Sequence, residues 1–149
     1  MMSTGSPTID AERAFARAAG RRRRAALARV LHLAPAGSGS LAVFDERQLA
    51  RGHRRELTSG TREIPLEAIS GTLEPSRASM FDRDFRPARA ARGRWQRVWL
   101  AEQRGCPLPP ISVLPAGGGY VVRDGHHRVS VARARGALTI DATVEALPA

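Results

Sequence analysis

Five consecutive residues, Asp124-Gly125-His126-His127-Arg128, bring together an acid, a glycine, two imidazoles and a guanidinium. Tyr120-Val121-Val122-Arg123 before them predicts a strand. Val129 and Ala132 after them predict the inward stripe of a helix from about His126 to Arg135, closed by Gly136. The chemistry of such a junction is anion binding. The first turn of a helix leaves backbone N–H groups unpaired, and these donors and the helix dipole favour negative charge. Gly125 permits close approach of a ligand and a backbone angle that other residues resist. Arg128 can grip phosphate oxygens in a bidentate way. Asp124 can cap the helix, orient a histidine or reach a magnesium ion held by phosphates. Neighbouring helical side chains point about 100° apart. One histidine then faces the site while the other packs, and His127 and Arg128 are expected to matter most. The plain alternative is that Asp-Gly is an ordinary turn signal and the histidines bond only to backbone.

Phosphate transfer at this point needs a carboxylate as base or magnesium ligand. The candidates are Glu63, Glu67, Glu74 and Asp124, with Glu67 expected near the site because it follows a strand. The candidate catalytic set is therefore Asp124, His127 and Glu67, and the binding set is Gly125, His126, His127 and Arg128. Asp124 is the candidate metal ligand. A zinc site is less attractive, since the other histidines, His32 and His53, fall in poorly structured stretches and no Cys/His or His-Glu-x-x-His spacing occurs. Cys106 is the single cysteine, between Gly105 and Pro107, so neither a disulfide within the chain nor a multi-cysteine metal site is possible. No Gly-x-Ser-x-Gly elbow is present, and Ser130 reads as a helix surface or packing residue.

The elements that must position these residues follow from patterning. Ile111 to Leu114, Gly117-Gly118-Gly119 and Tyr120 to Arg123 read as a β-hairpin. Residues 88–104 read as a helix with Trp95, Val98 and Trp99 on one face, the tryptophans serving the core, and Gly105 as C-cap. Ile64 to Ile69 reads as an edge strand and turn, because Pro65 cannot donate to a central ladder. Residues 70–87 read as irregular, with Phe81 and Phe85 pinning one helical turn to the core, and Leu138, Ile140, Ala142 and Val144 alternate as a half-buried strand. Upstream, Ile9 to Leu33 reads as a basic helix with Phe15, Ala19, Leu27, Val30 and Leu31 on roughly one stripe and Arg21 to Arg24 running around it. Residues 34–40 read as a linker, Leu41 to Phe44 as a short strand and Asp45 to Ala50 as a helical turn. The division expected is a disordered tail over 1–8, a basic helix and extension over 9–62, a domain over 63–144 and a tail over 145–149.

The 149 residues suffice for one domain with a core. Net charge is +10, from 24 basic residues, all arginine, against 14 acids. That balance fits nucleic acid, nucleotide or another polyanion, or a solvated surface. No apolar run reaches the roughly 18 residues of a membrane span, and no signal-peptide core precedes Arg21, so a cytoplasmic protein without membrane contact is expected.

Residues 63–144 resemble the domain shared by the N-terminal part of ParB partition proteins (the ParB-like nuclease domain) and sulfiredoxin. The resemblance rests on Ile64-Pro65-Leu66-Glu67-Ala68-Ile69, on Pro109-Pro110-Ile111-Ser112-Val113 running to Asp124-Gly125, and on Gly125-His126-His127-Arg128 with Val129, Ala132 and Gly136 behind. It implies an α+β fold, a small mixed sheet with packed helices, preceded here by a basic N-terminal helix that the resemblance does not explain. It further implies a nucleotide ligand, ATP or CTP with magnesium. Partition proteins carry Gly-Glu-Arg-Arg at this motif and sulfiredoxin Gly-Cys-His-Arg. Gly125 and Arg128 match both, His127 matches the sulfiredoxin histidine, and His126 replaces the reactive cysteine, so sulfiredoxin chemistry is not expected. No helix-turn-helix segment follows residue 144, so centromere-like DNA binding is not expected either. Three functions follow: a nucleotide- or phosphate-binding protein that hydrolyses or transfers phosphate; a DNA-binding or nuclease-like protein using its arginine-rich surface; and a regulatory module whose helix 9–33 meets another protein or a second copy.

Overall fold

The computed structural model describes residues 5–33, 39–52 and 60–146. The expected tail at 1–4 and 147–149, most of the expected linker, and His53 lie outside those residues.

The first helix, α1 (Pro7–Val30), starts two residues before the expected Ile9. Pro7 occupies the first turn, where its missing N–H costs nothing, and Asp10 complements the dipole there. Its inner face is Ala11, Ala14, Phe15, Ala18 and Ala19, packed with Trp95 and Trp99 of α4 (Arg92–Gln103). The alanines let the two helices approach closely, and Phe15 meets Trp95 edge-on at 5.5 Å. The single apolar stripe expected along α1 divides in two. Leu27, Val30 and Leu31, past the segment Ala11 to Ala19 that packs with the tryptophans, are 57%, 73% and 56% exposed.

The sheet has six strands in the order β1-β3-β5-β4-β6-β2, namely β1 (Ala42–Val43), β2 (Gly60–Pro65), β3 (Ile69–Thr72), β4 (Ile111–Ala116), β5 (Gly119–Asp124) and β6 (Thr139–Val144). Pairing is mixed: β1–β3, β3–β5 and β4–β6 are parallel, while β4–β5 and β2–β6 are antiparallel. The fold is α+β. The hairpin forms as expected, with Gly117 and Gly118 both at positive φ (54° and 84°), the backbone its tight turn requires. Strand β2 is an edge strand, as Pro65 demands. One sheet face carries the main core, including Ile64, Ile69, Ile111, Val113, Val122 and Val129 of α5 (His126–Ala134). The opposite face is covered over part of its area by Leu49 of α2 (Glu46–Gly52), on Leu114, Ala116 and Val121.

Several expectations change. Residues 70–87 are not simply irregular: they contain most of β3 and a short helix, α3 (Pro75–Ala78). Strand β3 is short and carries Gly71, where an added Cβ would lie 2.4 Å from the Ala42 carbonyl and 2.6 Å from the Phe44 ring. The glycine that weakens the strand signal is what allows β1 and Phe44 to close on it. Phe81 and Phe85 are buried, but no helical turn joins them. Phe81 pairs with Pro87 in an isolated bridge, and Phe85 sits at φ 57°. The loop is organised by Asp82, whose Oδ1 accepts the N–H groups of Asp84 at 3.0 Å and Arg86 at 2.9 Å. Leu138 precedes β6 and is 80% exposed, outside the alternation that Ala142 and Val144 obey. The division at residue 62 is not a packing boundary, since α1 packs on α4, β1 and α2 join the sheet, and β2 begins at Gly60. Among the described residues no helix is long and apolar enough to cross a membrane.

Candidate functional site

The Asp124–Arg128 stretch stands where β5 ends and α5 begins. Gly125 is the residue before the helix, with φ 109°, and no side chain caps the first turn. Asp124 therefore does not cap, and the residues of that turn line a recess. A Cβ at Gly125 would lie 2.4 Å from Ile111 Cγ2, so both the angle and the space require glycine.

His126 is 3% exposed and plays a structural part. Its Nε2 and the Thr72 hydroxyl are 2.6 Å apart, and the Thr72 oxygen also accepts the Glu74 N–H at 2.9 Å. The ring stacks on Phe81 at 6.4 Å between centroids. His127 is 6% exposed and meets Phe81 edge-on at 5.2 Å. Its Nε2 is buried with no hydrogen-bond partner. Burial lowers the pKa of both imidazoles to about 4; for His126 the charge of Arg77 adds to it, and for His127 those of Arg94, Arg77 and Arg97. Both are neutral at neutral pH.

Arg128 is not the open clamp that its place in the motif suggests. Its Nη1 donates to the carbonyls of Pro109 and Pro110, the second at 3.1 Å, and its Nη2 to Asp124 Oδ2 at 3.2 Å. It ties the approach to β4 onto the start of α5 and forms one wall of the recess. Asp124 is 72% exposed and engaged with that guanidinium.

The recess encloses about 320 Å³. Besides Asp124 to Arg128, it is lined by Arg77 of α3, by Arg94 and Val98 of α4, and by Leu108 and Pro109. Arg77 and Arg94 are the residues that sequence reasoning missed. They lie far from the motif in the chain, in a segment read as irregular and on a helix read for its tryptophans. No local pattern marks them.

Of the four candidate carboxylates, only Asp124 lines the recess. Glu67 is a correction. It lies in a 3-10 turn (Leu66–Ala68) before β3, whereas Thr72 and His126 meet at the far end of that strand. The Leu66 carbonyl in that turn accepts from Arg133 at the other end of α5. Glu63 accepts from the Thr139 hydroxyl at the edge of the sheet. Glu74 follows Thr72 and approaches the site through its backbone. Among the described residues no group of three or more His, Cys, Asp or Glu stands together. The donor set suits phosphate oxygens. A magnesium ion brought by those phosphates would have Asp124 as its one carboxylate from the lining, in competition with Arg128.

No family model matches the chain, and no curated protein matches it. Among solved structures it is similar to the crystal structure of sulfiredoxin from Arabidopsis thaliana, at 22% identity with a TM-score of 0.40, covering 58% of this chain and 84% of that one.

Proposed function

We propose that the recess at the start of α5 binds the phosphate chain of a nucleotide. The observation that carries the reading is the convergence on one cavity of a helix N-terminus without a side-chain cap, the guanidinium groups of Arg77 and Arg94, and the buried, unpartnered Nε2 of His127. Helix dipole, backbone donors and two cations all favour an anion there. Leu108, Pro109 and Val98 supply an apolar wall for a base or sugar. The proposal is of binding. Asp124 is the carboxylate at hand for a magnesium ion, and His126 and His127 hold the floor of the site in a neutral form. The nuclease-like reading has less support, because it needs a cluster of metal-binding carboxylates.

Thermal unfolding with pyrophosphate, AMP, ATP, CTP and GTP, with and without magnesium, tests the proposal on the wild type, Arg94→Ala and Arg77→Ala. Stabilisation that grows with the number of phosphates and is lost in either variant is the expected result. At a ligand concentration of 100 times Kd the gain is about 2.7 kcal/mol. No stabilisation by any of these ligands, or one indifferent to both arginines, sinks the reading.

A protein partner at the C-terminal end of α1 is the second reading, favoured by the exposure of Leu27, Val30 and Leu31 there. Sedimentation of the wild type beside Leu27→Glu/Leu31→Glu tests its self-association form. A mass that is a multiple of the 16.1 kDa chain, lost in the variant, is expected, and a monomer in both rejects self-association.

A further inference from the structure

The arginines of α1 have no role in the recess at the start of α5. Helices α1 and α5 both pack against α4, and between them runs a cleft. Two hollows of about 230 and 310 Å³ lie along it and share Ala18, Arg21 and Ala134. Small side chains keep the floor deep where they meet. The rims carry Arg17 and Arg135 at one hollow, Arg86 and Arg133 at the other, and Arg21 at both. Among the described residues Asp84 is the one acid lining either hollow, paired with Arg86 at 3.2 Å, and Arg135 is paired at 3.3 Å with Glu102, which is not in the lining.

Two of these arginines stand over aromatic rings. The Arg135 guanidinium is 5.4 Å from the centre of Trp99, and that of Arg133 is 5.9 Å from Phe85. A guanidinium held against a ring offers its other face for stacking, as in the recognition of unpaired bases. Arg133 also keeps a buried Nε without a hydrogen-bond partner.

We propose that this cleft binds single-stranded nucleic acid, with Arg21 and its neighbours on the phosphates and the ring-backed guanidinium groups of Arg133 and Arg135 against the bases. Charge complementarity selects the partner: the chain is at +10, and the cleft joins several cations in a row. An acidic peptide satisfies the charges but leaves the ring-backed guanidinium groups without bases to stack on. None of the residues lining these hollows lines the recess at the start of α5, so the two sites fail or stand separately.

Fluorescence anisotropy on the full chain tests this with a labelled oligothymidylate, a duplex of mixed sequence and poly-glutamate as probes, across a salt series. The proteins are wild type, Arg21→Ala and Arg47→Ala. Arg47 is an exposed residue of α2 on the other sheet face, so its loss removes the same charge at a remote place. The expected result is preference for the single strand, with affinity falling as salt rises. Arg21→Ala should weaken binding about fivefold near 0.1 M salt and lower the salt slope by about one, while Arg47→Ala changes little. Equal losses in the two variants would show charge without a site. Tighter binding of duplex or of poly-glutamate than of the single strand overturns the proposal as well. Arg21 is exposed, so its loss leaves the fold intact, and an unchanged melting curve verifies this.

Discussion

The Thr72 hydroxyl, at the end of β3, stands 2.6 Å from Nε2 of His126 in the first turn of α5. Both are buried, at 0% and 3% exposure. This contact fixes the start of α5 against the centre of the sheet, and with it the direction in which the N–H groups of that turn point. Thr72→Val keeps the shape but leaves a buried imidazole nitrogen and the Glu74 N–H without their partner. A loss of about 1–3 kcal/mol is expected from each group left unsatisfied. Urea unfolding checks it, and Thr72→Ser should recover much of the loss. Wild-type stability in Thr72→Val would mean that the contact holds nothing in place.

Gly125→Ala combines two penalties. The backbone angle of 109° is one that side chains resist, and the new methyl would meet Ile111 Cγ2 at 2.4 Å. Strain at such an angle costs about 1–3 kcal/mol, and overpacking adds about 1–3 kcal/mol. Chemical denaturation should show a loss of that order. The double variant Gly125→Ala/Ile111→Ala should not recover it fully, because the angle remains.

The histidines make stability depend on pH. In the folded chain both titrate at about 4, from burial first and neighbouring arginines second. Unfolded, they titrate near 6.5. Between these values the unfolded chain binds more protons, so stability is full above about pH 6.5 and falls as pH drops toward 4. The limit is roughly 3 kcal/mol for each imidazole. Urea midpoints compared at about pH 7.5 and about pH 5 should fall, with the slope greatest at about pH 5, midway between the two values. His127→Leu should remove its share of the slope. A flat profile above pH 5 contradicts the burial of neutral imidazoles.

Phe15→Ala and Leu27→Ala separate the two faces of α1. Phe15 is 7% exposed and lies edge-on to Trp95, so its truncation opens a cavity at the α1–α4 contact and should cost about 3–5 kcal/mol. Leu27 is 57% exposed, and its truncation should change stability by about 0.5 kcal/mol or less. Equal effects would mean that α1 does not dock through its alanine face.

Local chemistry in the sequence determined a good deal. The hairpin follows from Gly117-Gly118 between apolar runs, the start of α5 from Gly125, and the edge position of β2 from Pro65, since each depends on a backbone angle or a missing donor that one residue dictates. The strand–glycine–helix junction at Asp124–Arg128 was legible for the same reason. What only the tertiary structure decided is which charges gather there. Arg77 and Arg94 reach the recess because α3 and α4 end up beside α5, and Glu67 is excluded because the length of β3 separates it from Thr72. Arg128 turned out to be held by the carbonyls of Pro109 and Pro110, and α1 to be docked by alanines rather than by its leucines. These outcomes rest on packing between residues far apart in the chain, which no spacing along the sequence encodes.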